Sequence, residues 1–471
     1  MYDYSENAPK FWIEAGTEEK PVIKIEQTLL LEFLKYYGFF KMYLSNNSMF
    51  VRISKNIISE VTAEQIKDFV LDYIRFAPRN LTKNTNNNHI LSELVRGINV
   101  YLGKGVLQCL EAITPDIKMD DPETAYFYFK NCFVVVTKDN SVMAGYSHLD
   151  RLIWKNQILN RKFYIYDEDT SDFEIFLKKI CKGDEIRYKS LISAIGYLLH
   201  SYKDPVIPKA IIFCDADRSK IPNGRTGKSL VGEAIGKLKN TKNIDGRKFN
   251  FNDRFAYQGI SLDTQVINFN DVSANFDFEK LFSVLTDGIT VEEKGRKSFD
   301  IPYEKSPKVL VTTNYTVVGE GESFKGRMFE VEFSEHYSSS YQPIHEFGKR
   351  FFDNWDKEEW YIFYTFMLKC VQFYLNHGLV AYESPNLKRK KLEQMTSKEF
   401  CIFADKIELN KEYNKRMLFE DFKNEVEDIY FSQRTFTTWL RIYAGYNNIK
   451  VEERKSNNEQ FIFFKKILEN I

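Results

Sequence analysis

The sequence predicts an α/β core of strand–loop–helix units, with helical regions flanking it, an α/β region before it and a winged-helix pattern at the C-terminus. Three observations predict it. An apolar run, Ala210 to Cys214, leads into a glycine-bearing loop, Ile221 to Ser229 (IPNGRTGKS), and a helical pattern follows from Leu230 to Leu238. Two further apolar runs, Val266 to Phe269 and Lys308 to Thr313, end in Asn270-Asp271 and in Asn314. After Leu409 the order is strand, helix (Leu418 to Tyr430), helix (Gln433 to Tyr443) and two strands, Ile449 to Arg454 and Gln460 to Lys465.

The loop carries the chemistry. A glycine-bearing turn between a strand and a helix aims backbone N–H groups at an anion, and the free N–H groups of the helix start add to them. Asn223, Gly224, Arg225, Thr226, Gly227, Lys228 and Ser229 would line such a phosphate cradle. Lys228 would set a point charge against the β- and γ-phosphates of ATP, and the Ser229 hydroxyl would take a place on Mg²⁺. The full spacing G-x-x-x-x-G-K-[ST] asks for glycine at position 222, where Pro222 stands, so the loop reads G-x-x-G-K-S.

A length of 471 residues predicts more than one core, about two to four domains. Lys+Arg and Asp+Glu are both 66, which argues against coating nucleic acid by bulk charge but leaves room for a local basic track. The cysteines Cys109, Cys132, Cys181, Cys214, Cys370 and Cys401 form no C-x-x-C pair, and most sit in apolar runs, as reduced thiols of a cytoplasmic protein do. The histidines show no metal-ligand spacing. The first residues have neither a basic nor an apolar leader segment, and no apolar run is long enough for a membrane span, so a soluble, unexported protein with no membrane partner is expected.

In chain order, residues 1–125 read as an α/β region whose role the residues do not define. Short alternating strands are expected at Phe39 to Leu44, Met49 to Ile53 and Ile57 to Val61. Thr62 with Gln65 reads as a capping box opening a helix. Helical periodicity returns from Ile90 to Leu110. Asp116, Asp120 and Asp121 are the only close carboxylates here and read as a solvated turn, so no primase site is expected. Residues 126–200 read as a mostly helical, collar-like region, with strands at Asn131 to Val136 and Val142 to Gly145 and helices at Asp172 to Lys179 and Tyr188 to His200. His200 reads as a structural histidine.

Residues 201–345 hold the core. Asp271, at a strand end beside the loop, is placed to hold Mg²⁺ or orient water, although strand-then-Asp also marks ordinary turns. Asn314 reads as a water-positioning amide or a turn residue. Lys294, Arg296 and Lys297 sit at the tip of an expected hairpin around Gly295, as a solvated turn or a phosphate-backbone contact. Arg327 precedes an alternating strand, Met328 to Phe333, either as an ion-pair partner or as a charge for a neighbouring subunit's nucleotide. Residues 346–400 read as a helical lid, with a helix from Phe351 to Leu375 and a basic run, Lys388 to Lys391, on a solvated face or on DNA. Residues 401–471 resemble a winged helix-turn-helix with Arg434 and Arg441 on its second helix, suited either to DNA or to a partner protein.

Taken together, IPNGRTGKS, VINFND, VEEKGRKSFDIP, SPKVLVTTNY and GRMFEVEF resemble the superfamily III helicases of small DNA viruses, poxvirus-type primase-helicases, phages and plasmids. The resemblance covers about residues 200 to 345. It implies an AAA+-like core, and with the readings of the other segments the expected fold is an α/β P-loop (AAA+-like) ATPase core with helical flanking regions, an α/β N-terminal region and a C-terminal winged-helix domain. It further implies a homo-oligomeric, hexameric ring driven by ATP and Mg²⁺ along single-stranded DNA, with origin duplex DNA or a separate primase as further partners. By position, Lys228 and Ser229 would hold phosphate and Mg²⁺, Asp271 would be the Walker B acid, and Lys294, Arg296 and Lys297 the DNA hairpin. Asn314 would be the polar sensor and Arg327 an arginine finger acting in trans. Asn270 stands where the family often has a first acid. An ATP-gated initiator or scaffold without strand separation is the competing expectation, and a nucleotide switch unrelated to DNA a third.

Overall fold

The computed structural model describes residues 7–17, 20–44, 47–79, 81, 85–166, 169–216, 225–295, 297–315, 322–382, 385–426, 432–456 and 459–466. Alternating apolar residues build the N-terminal sheet. Phe39–Leu44, Asn47–Ser54 and Ile57–Val61 pair antiparallel, with Ala112–Ile113 and Ile153–Trp154 at the edges. Helices Gln27–Tyr36, Ala63–Arg75 and Asn87–Arg96 share a core with it around Phe33, Phe69 and Tyr73. The Thr62 capping box is present, with both reciprocal bonds to Gln65. The pattern from Ile90 to Leu110 is not one helix. It breaks at Gly97 and Gly103 into Asn87–Arg96, Ile98–Tyr101 and Lys104–Leu107.

The mostly helical expectation for 126–200 is corrected. Its first half is a four-stranded sheet of Thr124–Phe129, Phe133–Thr137, Ser141–Ala144 and Ile158–Leu159. The aromatic and β-branched runs YFYF and FVVV favour a pleated surface over a helix. Two helices follow, α1 (Asp172–Ile180) and α2 (Glu185–Leu199). The α2 residues Leu191 to Leu199 are all buried, which is why that stretch is apolar nearly all round.

The core elements are β1 (Ala210–Asp215), α3 (Lys228–Gly236), β2 (Thr241–Asp245), β3 (Val266–Val272), β4 (Gly288–Val291), β5 (Phe299–Pro302), β6 (Lys308–Thr313), α4 (Glu322–Arg327) and β7 (Met328–Phe333). Five of them form a parallel sheet in the order β2-β3-β6-β1-β7. Every residue of β1 and β6 is buried. Strands covered on both faces read as unbroken apolar runs, as these do. Parallel pairing sets the carboxyl ends of β3, β6 and β1 side by side. β4 and β5 leave the sheet as an antiparallel hairpin.

The helix expected from Phe351 starts later, as α5 (Lys357–His377), because Phe351, Phe352 and Trp355 form an aromatic turn against Trp360 and Phe363 and Asp356 supplies the cap. Then come α6 (Pro385–Met395), α7 (Lys398–Ala404), β8 (Glu412–Asn414), α8 (Lys415–Glu425), α9 (Gln433–Tyr446), β9 (Ile449–Ser456) and β10 (Glu459–Lys466). The three strands form an antiparallel sheet in the order β8-β10-β9, packed with α7, α8 and α9 around Phe400, Phe422 and Phe436. The basic run on α6 is a solvated face only at Lys388, which is exposed. Arg389 bonds Glu393 and Asp405, Lys390 Nζ donates to the Asp215 carbonyl at 2.9 Å, and Lys391 pairs with Glu330. No described helix is long and apolar enough to cross a membrane.

Behind the amino end of β6 three lysines are buried with little carboxylate to meet them. Lys308 Nζ donates to the Tyr197 carbonyl at 2.8 Å and sits 3.7 Å from the Tyr197 ring centroid. Lys239 Nζ is 3.7 Å from Asp120, and Lys203 Nζ donates to the Pro307 carbonyl at 3.4 Å. The same burial keeps His200 neutral, with its imidazole pushed down to about 4 and Nε2 2.8 Å from the Asp121 carbonyl. Burial likewise pulls Lys203 from 10.5 down to about 8. A lysine lowered in the folded state costs stability in full below its folded value, and the cost is relieved as pH rises through that window. Lys203→Met therefore stabilises the chain by about 1–3 kcal/mol near neutral pH, and the gain shrinks as pH rises from about 8 toward 10.5. Urea melts of both chains at a series of pH values read the difference.

Candidate functional site

The site forms where β1, β6 and β3 end. β1 finishes in Asp215, a buried carboxylate directly before the loop. The loop returns to helix at Gly227, whose φ of +105° opens α3 without a side-chain cap. A Cβ there would also stand 2.5 Å from the Phe176 ring of α1, so glycine is required twice over. Asn223, Gly224 and Pro222 lie outside the described residues. Arg225 is exposed, with a left-handed φ of +61°.

Lys228, the first residue of α3, turns inward and is 7% exposed. Its Nζ pairs with Asp215 Oδ1 and bonds Asn314 Oδ1 at 2.9 Å and Thr226 Oγ1 at 3.2 Å. Thr226 Oγ1 donates to the same Asp215 oxygen at 2.5 Å. Burial pulls the Lys228 ammonium below the ordinary lysine value, and Asp215 opposes that shift. Asp215 Oδ2 is buried with no bonding partner among the described residues.

Asn314, just past β6, bridges two of the expected residues. Its Nδ2 donates to Asp271 Oδ1 at 3.1 Å while its Oδ1 holds Lys228. The structure therefore brings Lys228, Asn314 and Asp271 into one hydrogen-bonded chain. Asp271 has a left-handed φ of +56°, and the β3–β6 register shifts between Phe269 and Val272. Its other oxygen accepts from Arg247 Nε at 2.8 Å.

Ser229 bonds the other residue at the end of β3. Its Oγ donates to Asn270 Oδ1 at 3.2 Å, and Asn270 also accepts from Thr312 Oγ1 at 2.9 Å. Of the two residues closing β3, it is the amide that bonds Ser229, whereas the carboxylate of Asp271 faces Asn314 and Arg247. No cluster of three His, Cys, Asp or Glu side chains suited to a metal occurs among the described residues. Ser229, Asn270 and Asp271 are the oxygen donors that would flank Mg²⁺ here, a donor set that fits a cation completing its shell with phosphate and water.

The other expected residues lie apart. Arg327, at the end of α4, bonds Ser323 Oγ at 2.5 Å and its carbonyl at 3.1 Å, and its guanidinium lies 4.9 Å from the Phe282 ring centroid. Its Nε is buried without a partner among the described residues. Lys294 and Lys297 are exposed beyond the β4–β5 ladder, and the Lys297 carbonyl accepts from Asn47 Nδ2 of the N-terminal sheet at 3.4 Å. Arg296 lies outside the described residues. Arg434 is exposed on α9, whereas Arg441 is engaged with Glu453. The sequence reading missed Asp215 and Arg247. An acid closing an apolar strand just ahead of a glycine loop was the available signal for Asp215. Arg247, in a turn after β2, gave none.

A family profile described as a family of unknown function (DUF5906) matches residues 221–327, from the loop before Lys228 to Arg327. Among curated proteins none matches. Among solved structures, the chain is similar to the A-form apo structure of the NrS-1 C-terminal region (CTR), with a TM-score of 0.45 and 12% identity over 93% of this chain and 99% of that one. It is also similar to the apo structure of the NrS-1 C-terminal region (305–718), with a TM-score of 0.42 and 12% identity over 93% and 98%.

Removing Asp215 strands the Lys228 charge in a buried site. Asp215→Ala lowers the unfolding free energy by about 3–5 kcal/mol, the cost of breaking a buried pair from one side. Denaturant unfolding measures it, and the double variant Asp215→Ala/Lys228→Met recovers most of the loss.

Proposed function

We propose that the chain is an ATP-dependent replicative DNA helicase of a phage or mobile genetic element. In this reading the core is an AAA+-like P-loop ATPase of the superfamily III kind. It forms a hexameric ring in the host cytoplasm, moves along single-stranded DNA by hydrolysis at subunit interfaces, and works with origin duplex DNA or a separate primase. The observation that carries the reading is the meeting of Lys228, Asn314 and Asp271 at the carboxyl edge of a parallel sheet, beside an uncapped helix start.

ATP with Mg²⁺ would supply a γ-phosphoryl group whose charge grows during transfer. The chain's part is electrostatic and positional. Lys228 exchanges Asp215 Oδ1 for phosphate oxygens, and Thr226 Oγ1 goes on donating to that carboxylate oxygen. Asn314 orients the Asp271 carboxylate, which in turn orients the attacking water. Arg327 is bonded to Ser323 and not to this network among the described residues, in keeping with service to a neighbouring subunit's nucleotide. Lys294 and Lys297, presented on the β4–β5 hairpin, supply the contact to the DNA backbone. α8, α9 and the β9–β10 hairpin are read as the winged helix.

One observation favours a second reading, an ATP-gated initiator or scaffold with weak unwinding. The residue touching Ser229 is the neutral amide of Asn270 rather than a carboxylate. The two readings separate on Lys294→Ala/Lys297→Ala, which abolishes unwinding in a helicase and leaves an initiator's duplex binding intact.

Lys228→Ala abolishes nucleotide binding and turnover together. Arg327→Ala keeps binding and loses about 10³- to 10⁵-fold in hydrolysis. Equilibrium binding of a fluorescent ATP analogue, alongside phosphate release, reads both. Wild-type turnover in the Arg327 variant would overturn the trans assignment.

A further inference from the structure

The C-terminal unit has a second polar site, independent of the ATPase reading. A cleft of about 590 Å³ opens between the start of α8, the start of α9 and β10. Lys415, Arg416, Arg434 and Arg441 face it, with Gln433 and Thr437 between them. Acids and bases are equal in number over residues 401–471, so this concentration of cations is an arrangement of the fold and not a consequence of composition.

At its back sits one carboxylate in an unusual grip. Glu453 on β9 accepts from Arg441 Nε at 2.7 Å and Nη2 at 3.0 Å, a two-pronged fork, and from Lys415 Nζ at 2.6 Å. Lys415 is 4% exposed. The Arg441 fork, and Lys415 behind it, hold the Glu453 carboxyl far down, at about 2. A fork and an ammonium closing on two anionic oxygens is also the donor set that grips the non-bridging oxygens of a phosphodiester.

We propose that this cleft binds the phosphodiester backbone of duplex DNA, and that Glu453 is a resident carboxylate that occupies the Arg441–Lys415 grip until a phosphate displaces it. Arg416 and Arg434, both exposed at the rim, make the first contacts, and Arg441 and Lys415 turn to the backbone as Glu453 is released. The lining decides between nucleic acid and an acidic protein. A protein interface needs a desolvated apolar or aromatic anchor at its centre. Here the walls are four cations, three amides and the Thr437 hydroxyl, the groups that hold phosphate and sugar, against the one lining carboxylate of Glu459, and no apolar or aromatic side chain among the described residues lines the cleft. Glu453 sets the strength of the contact, since a grip already filled by an internal anion gains less from an external one.

The test uses the full-length chain carrying Lys294→Ala/Lys297→Ala, so that hairpin contacts do not contribute, and a fluorescein-labelled blunt duplex without nucleotide. Anisotropy titrations are run across a salt series. Glu453→Gln, which keeps the shape and removes the charge, raises affinity and steepens the log–log salt slope by about 1 to 2, at about 0.9 per phosphate neutralised. Arg434→Ala and Arg416→Ala each flatten it by about 0.9. Circular dichroism melts confirm that each variant is folded. The proposal is overturned if Glu453→Gln leaves affinity and slope unchanged while folded, or if the duplex does not bind and polyglutamate does. ATP hydrolysis measured on the same samples keeps this result separate from the ATPase reading, because loss of duplex binding with intact hydrolysis sinks only the cleft.

Discussion

The pair between Lys228 and Asp215 is the interaction on which the site is built. An ammonium that deep costs several kcal/mol unless an anion meets it. Asp215 meets it from the end of β1, Thr226 braces the carboxylate, and Asn314 takes a further Lys228 hydrogen from the end of β6. Three segments far apart in the chain are tied at one atom, Lys228 Nζ. In the proposed reading, Asp215 holds the place of the phosphate. The lysine is thus kept pointed into the site before nucleotide arrives, and the energy of binding is the difference between two anions rather than the whole of one.

That arrangement depends on how closely the helices approach. Gly227 must be glycine because Phe176 of α1 fills the space a side chain would need. Phe176 is itself held by Tyr337 and Phe351 in the main core. The loop geometry is therefore set from behind, by helices outside the sheet. The basic run on α6 works from the other side. Lys390 on the Asp215 carbonyl and Lys391 on Glu330 pin α6 to β1 and β7, and Arg389 ties it to Asp405 at the edge of the C-terminal unit. A shift of the carboxyl end of β1 would be felt along this helix.

The core was legible because burial on both faces writes itself as unbroken apolar runs. AIIF, VINF and KVLV could be placed as strands without knowing their partners, and the residues closing them were the ones to watch. Lys228, Asn314 and Asp271 were readable for that reason. Asp215 closes the first of these runs and was legible by the same rule, though passed over, whereas Arg247 was not, because its importance lies in what it faces across the sheet, and a one-dimensional pattern holds no such distance. The stretch 126–200 misled differently: two of its strands were legible as alternating runs, but Thr124–Phe129, which pairs Phe133–Thr137, and the short Ile158–Leu159 at the sheet edge were not, and the two strong helices set the character of the whole. The run at 388–391 looked solvated because four successive cations must point in several directions around a helix. Which of them meet carboxylates or carbonyls depends on the surface beneath.

The end of β3 shows how two neighbouring residues can serve one edge. In a regular strand, Asn270 and Asp271 would point to opposite faces of the sheet. The left-handed φ of Asp271 and the register shift beside it break that alternation. Thr312 pins the break, donating from Oγ1 to Asn270 at 2.9 Å and accepting from the Asp271 N–H at 2.8 Å. Aspartate tolerates such a conformation better than most residues, but it still costs on the order of 1 kcal/mol. What the strain gains is a division of labour. The amide is spent on Ser229, and the carboxylate is carried round to Asn314 and Arg247. A carboxylate beside Ser229 would be drawn to a cation there. An amide leaves that position uncharged and turns the one carboxylate of the pair toward Asn314. The amide at Asn270 and the bend at Asp271 are thus two halves of one arrangement.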